Sequence, residues 1–190
     1  MASVTSICNR ALQLLGANRI VSIDDNTPHA VECSIAYEPS RDFELRLHPW
    51  KFAKARAQLA ADVDTPDFGP AYQYTLPADF LRLIENDPED EYNSKDWVIE
   101  GGLLLTDDTA PLDIRYIKKI TDVEAMDPMF REALSHRIAM NICERITQSN
   151  VKLQNIATMY KSVIDGARKV NALEQVPVEA VDADWITVRY

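Results

Sequence analysis

The hydrophobic period of this chain changes twice, from helical to strand-like and back, and that order restricts its fold more than any other feature. Val4, Ile7, Cys8, Ala11, Leu12 and Leu15 recur at i, i+3, i+4 spacing and predict a helix with one apolar face. Gly16 supplies the left-handed residue that ends such a helix. After a connector over 18–26, Thr27 is a candidate N-cap and Pro28 fits the first helical position. The second helix runs to about Leu47 and is closed by His48-Pro49. Its stripe is imperfect: Val31 and Ile35 form one line, and Ala36, Phe43 and Leu47 another. Pro39 lies inside it, takes the hydrogen bond away from the Ile35 carbonyl, and predicts a kink or a split.

From Trp50 the texture becomes that of strands. A first strand is expected over 51–60, with Lys51, Lys54 and Arg56 interleaved with apolar residues as one charged face. A loop follows over 62–70, then Tyr72, Tyr74 and Leu76 alternate as a half-buried strand does. Leu76-Pro77 breaks that strand and 80–84 resumes one. The acidic stretch 86–95 reads as an exposed loop. Trp97 to Glu100 and Leu103 to Leu105 flank Gly101-Gly102, a two-residue hairpin signal, because primed turns need positive φ. A turn over 107–111 leads to a last strand carrying Leu112, Ile114 and Tyr116. These segments predict one small antiparallel sheet of about four to six strands.

Asp127-Pro128 opens a third helix whose ridge is Phe130, Leu134, Ile138, Ile142 and Ile146. A joint over 148–150 leads into a fourth, over about 151–173, where Leu153, Ile156, Tyr160, Val163, Ala167 and Val170 form a heptad-like seam against the third. The last stretch has no helical period, contains Pro177, and carries Trp185, Ile186, Val188, Arg189 and Tyr190. It reads as an extended arm that docks on a partner through those five residues. The chain is thus expected to be α+β: a four-helix-type bundle with an inserted small antiparallel β-sheet lobe and an extended C-terminal arm. The divisions fall at 1–49, 50–120, 121–175 and 176–190.

Hydrophobic residues make up 46% of the 190, enough for a core, while the net charge is −10. That charge favours solubility and argues against a sequence-reading DNA binder, which needs a basic footprint. Cys8, Cys33 and Cys143 form no CxxC pair and read as buried thiols of a reducing compartment. No run approaches the roughly 18 apolar residues of a membrane span. His29, His48 and His136 are not at metal-ligand spacing from one another or from a cysteine. Asp62, Asp64 and Asp67 lack the glycine and closing glutamate of a calcium loop. No serine occupies a GxSxG elbow, and five glycines leave no GxGxxG or P-loop. Catalytic residues, cofactors and metals are therefore expected to be none. Two competing expectations are a small soluble enzyme with an unrecognised site and a regulatory nucleic-acid-binding module.

Over nearly its whole length the chain resembles the tail tubular protein A family, the head–tail adaptors of short-tailed bacteriophages. The resemblance runs from Ala11-Leu12-Gln13-Leu14-Leu15-Gly16 and Ile20-Val21-Ser22-Ile23 through His48-Pro49-Trp50-Lys51-Phe52. It continues in Tyr74-Thr75-Leu76-Pro77-Ala78-Asp79-Phe80-Leu81, then Ile114-Arg115-Tyr116, Asp122 and Met126-Asp127-Pro128-Met129-Phe130. Between Asp87 and Asp96 nothing matches. These are patterns of packing and turns, and their order carries the resemblance. It implies a structural virion protein made in the host bacterial cytoplasm, with no enzymatic activity and no membrane partner. It further implies a self-assembled ring of about twelve copies closed by one repeated contact. The ring would join the portal protein to the tail nozzle protein, and DNA would pass through without sequence-specific binding.

Overall fold

A computed structural model describes residues 2–84 and 96–174. The fold is α+β, with four helices and two three-stranded antiparallel sheets among those residues. Helix α1, Val4–Leu15, starts at a Ser3 capping box with Ser6 and ends at Gly16, whose φ of 72° is the left-handed cap expected there. Asn9 pins the following connector by exchanging two hydrogen bonds with the backbone of Ile20, at 3.0 and 2.9 Å.

Helix α2 spans Pro28–Leu47 from a Thr27 cap. Pro39 does not split it. Pro39 and Ile35 lie on the exposed face, where solvent can meet the freed carbonyl. Helices α3, Pro128–Thr147, and α4, Asn150–Leu173, start on the side chains of Asp127 and Ser149. Left-handed Gln148 makes the joint between them.

Helix α3 is the central member and packs against the other three. This is why its buried face extends past the expected ridge to Ala133, Ser135, His136, Ala139 and Cys143. Contacts from Glu32 to Arg145, Ser40 to Asn141 and Glu44 to Arg137 run in opposite chain directions, so α2 is antiparallel to α3. Helix α4 folds back along α3 and so ends at the same end of the bundle as α2. Its buried seam is Ile156, Tyr160, Ile164 and Ala167, whereas Val170 is exposed.

The expected first strand begins late. A single 3-10 turn, Lys51–Ala53, precedes β1, Lys54–Leu59, whose Lys54, Arg56 and Gln58 face outward as the alternation requires. Strands β2 (Tyr72–Thr75), β3 (Phe80–Leu83), β4 (Trp97–Glu100), β5 (Leu103–Thr106) and β6 (Leu112–Lys118) follow. They form two sheets, ordered β1-β6-β3 and β2-β5-β4, in place of the single sheet expected. The β4–β5 hairpin turns on Gly101 and Gly102 with φ of 57° and 85°, placing Glu100 opposite Leu103. Strand β6 does not pair with β5 across the 107–111 turn. It takes β1 and β3 on its two edges, which completes the first sheet and leaves β5 to pair with β2.

Two apolar clusters result. The larger fills the bundle and includes Trp50, Phe130 and Ile117. The smaller lies within the two sheets and holds Leu59, Tyr74, Leu83, Leu104, Leu112, Ile114 and Tyr116. Strand β6 serves both, because successive side chains point to opposite faces of a strand. The acidic loop expected over 86–95 falls outside the described residues.

Candidate interaction surfaces

Helix α2 buries a face that is partly polar and exposes one where apolar residues stand beside Ser34, Glu38 and Arg46. The buried side carries Ser40, Arg41 and Glu44 beside Ala30, Cys33, Tyr37 and Leu45. Glu44, fully buried, accepts hydrogen bonds at one carboxylate oxygen from Arg137 Nε and the Tyr160 hydroxyl, each at 2.6 Å. The Arg137 guanidinium lies between the rings of Phe43 and Tyr160, at 4.5 and 4.7 Å, and donates to the Tyr160 oxygen at 3.0 Å. Burial, reinforced by the bond to Glu44, pushes the Tyr160 hydroxyl up to about 12, so it stays protonated and donating. Ser40 accepts from Asn141 at 2.9 Å. Through Glu44 and Ser40 this face therefore binds three helices together.

The outer side is different. Val31, Ile35, Pro39, Phe43 and Leu47 repeat every four residues and form one continuous ridge. The four aliphatic and aromatic members are 40%, 65%, 49% and 45% exposed. The sequence shows the same residues as two broken lines because a strict four-residue repeat drifts around a helix of 3.6 residues per turn.

Exposed apolar side chains also occur in the strand-rich part of the chain. Val63 and Phe68, in the 60–71 loop, are almost wholly exposed, and Val98 and Ile99 of β4 also reach solvent.

The ends of α2 and α4 meet at a polar clasp. The Lys51 amide donates to Asn171 Oδ1 at 2.8 Å. That fixes the amide orientation, so Asn171 Nδ2 donates to His48 Nε2 at 3.0 Å. Burial, together with Arg168, Arg82 and Lys54, lowers the pKa of His48 and keeps its ring neutral to accept this bond.

The residues weighed for chemistry have structural surroundings. His136 is buried, with Nδ1 2.9 Å from the Glu132 carbonyl. Cys8, Cys33 and Cys143 are free and buried. The hydrogen bond to Cys33, followed by burial, raises the Cys8 thiol and keeps it uncharged. Among the described residues no group of histidine, cysteine and carboxylate side chains is arranged to hold a metal. Nor is any helix long and apolar enough to cross a membrane. Trp185, Ile186, Val188, Arg189 and Tyr190 lie outside the described residues.

Compared with known proteins, the chain matches no family model and no curated protein.

Proposed function

We propose that this chain is a structural virion protein, a head–tail connector adaptor. It docks as a ring of about twelve copies under the portal protein, joins it to the tail nozzle protein, and lines part of the DNA exit channel. The observation that supports this reading is the exposed four-residue repeat on α2, together with exposed apolar side chains in the strand-rich part of the chain, Val63, Phe68, Val98 and Ile99. An adaptor must engage a neighbour and two dissimilar partners, so it needs more than one such patch. Exposed apolar patches of this kind mark contact sites. The net charge of −10 suits a lumen past which DNA slides, because like charges repel. The order of bundle, sheets and bundle agrees with the resemblance. On this reading the protein turns over no substrate and binds no membrane.

The test is light scattering after size-exclusion chromatography, followed by electron microscopy, on the chain with and without a candidate portal protein. A ring stacked on the portal is the expected result. A monomer that ignores the portal overturns the proposal. Removing residues 181–190 is expected to leave the bundle folded and to weaken docking. Docking of undiminished strength by the shortened chain would remove the anchoring role of Trp185, Ile186, Val188, Arg189 and Tyr190.

A further inference from the structure

The charged stripe of β1 lies on one face of the β1-β6-β3 sheet, and other parts of the fold bring more cations to it. In the sheet register Lys54 and Arg82 both stand opposite Ile117, one on each side, and Arg56 stands opposite Arg115. Residues paired in this way project from the same face of a sheet, so Lys54, Arg56, Arg82 and Arg115 share one. Lys54 and Arg56 are about 6.7 Å apart along the strand, and Arg56 and Arg115 about 5 Å apart across it. Lys51 lies in the turn that leads into β1, and its amide is tied to Asn171 of α4. Arg168 stands one turn before Asn171 on the same side of α4. Burial lowers the pKa of His48 and of Lys54, and after it the charges of Arg168, Arg82 and Lys54 act on the first and those of Lys51 and Arg115 on the second. These cations therefore form one cluster next to the end of α2.

Other cations of the chain are balanced. Arg10, Arg41, Lys119, Arg137 and Arg145 each hold a carboxylate at 2.6–3.1 Å. Among the described residues Lys51, Lys54, Arg56, Arg82 and Arg168 form no such pair. Three nitrogens of the cluster, Lys51 Nζ, Arg82 Nε and Arg168 Nε, are buried and meet no acceptor among the described residues. A buried donor on a cation carries its desolvation cost until an acceptor reaches it. Like charges directly opposite one another, as Arg56 and Arg115 are, also weaken a sheet. A polyvalent anion relieves both costs at once. Arginine forks match phosphate oxygens, and a phosphate chain brings a charge at every link where a single carboxylate brings one. None of Lys54, Arg56, Gln58, Arg82 and Arg115 offers an aromatic ring on which a base could stack, so the contact is to phosphate and not to base.

We propose that the face carrying Lys54, Arg56, Arg82 and Arg115, with Lys51 and Arg168 beside it, binds a polyvalent phosphate anion, either the backbone of a nucleic acid or a free phosphate chain. The inference goes beyond the adaptor reading and does not depend on it. The net charge of −10 keeps the contact local, since the rest of the surface repels the same anion.

The test uses the full chain with no portal protein, so a failure of the adaptor reading leaves it untouched. Fluorescence anisotropy follows two labelled DNA duplexes of different sequence, and calorimetry follows sodium tripolyphosphate. The chain is expected to bind both duplexes equally, with an affinity that falls as salt rises, and tripolyphosphate is expected to displace them. Lys54→Gln with Arg56→Gln, both at exposed positions, is expected to weaken binding by about five-fold or more and to reduce the slope of log affinity against log salt by about two. Arg19→Gln with Lys161→Gln removes the same charge from exposed positions elsewhere and is expected to change binding by less than about two-fold. Circular dichroism checks that each variant keeps its fold. Lys54→Gln alone, with a slope reduced by about one, serves if the double variant does not fold. Binding of tripolyphosphate without either duplex would assign the face to a free phosphate chain. Equal binding of a glutamate homopolymer would assign it to an acidic protein and overturn the proposal. No binding of duplex or tripolyphosphate, or an equal loss in the control variant, would also overturn it.

Discussion

Arg137 is held by Glu44 and the Tyr160 oxygen at its edge and by the Phe43 and Tyr160 rings on its faces. Removing the cation leaves a fully buried carboxylate with the Tyr160 hydroxyl as its remaining donor from this group. Arg137→Met is therefore expected to cost about 3–5 kcal/mol in urea unfolding, and the double change Glu44→Leu, Arg137→Met to cost less than the single one. Equal or greater loss in the double variant would show that packing of the Arg137 stem, and not the stranded charge, dominates. His48 gives a second test at this scale. Its folded pKa lies below the unfolded value of about 6.5, so its contribution to stability is present above that pH. As pH falls through the lowered folded pKa the contribution is lost, because the unfolded chain takes up the proton first. An NMR titration should find His48 protonating below a free histidine. In Asn171→Ala, which lacks the donor that selects the neutral ring, the midpoint should move up. A midpoint unmoved by that substitution would show that burial and the neighbouring cations set it alone.

At the scale of elements, caps and turns were the most legible parts of the sequence. Gly16, Thr27-Pro28, Gly101-Gly102 and Asp127-Pro128 each act through bonds to near neighbours, so the residues alone suffice. The faces of α2 were not legible. Glu44 and Ser40 go inside because their partners, Arg137, Tyr160 and Asn141, come from elsewhere in the fold, and hydrophobicity carries no sign of them. Sheet pairing was hidden for the same reason, since nothing local tells β6 to pair with β1 and β3 and not with β5. The outer side of α2 should accordingly respond differently from the bundle core. Ile35→Asp, on the outer ridge, is expected to change stability by no more than about 0.5 kcal/mol. Phe130→Ala is expected to cost about 3–5 kcal/mol, because that ring packs edge-on against Trp50 and Phe52, at 5.2 and 5.0 Å, where the bundle meets the start of the sheets. Melting curves of the two variants decide this. A large loss in Ile35→Asp would mean that the ridge is covered in the free chain.

For the whole molecule, the two cores are unequal and share one strand. The bundle core joins three helices onto α3 and draws in Trp50 and Ile117. The sheet core rests on few large side chains, chiefly Tyr74, Tyr116 and the leucines around them, and β4 contributes no buried residue to it. Local opening follows the least buried apolar contact, so the β2-β5-β4 sheet should open without the bundle. The β1-β6-β3 sheet should follow the bundle more closely, because Ile117 is fixed in the bundle core and the Tyr116 hydroxyl donates to Asp79 at 2.9 Å. Native-state hydrogen exchange over a denaturant series reads this directly. Amides of β4 and β5 are expected to exchange through openings of lower free energy than those of Ile138 and its neighbours in α3, with β6 in between. A single opening energy for all of them would mean that β6 couples the cores into one cooperative unit. The exposed Val98 and Ile99 of β4 would then be held as rigidly as the outer face of α2.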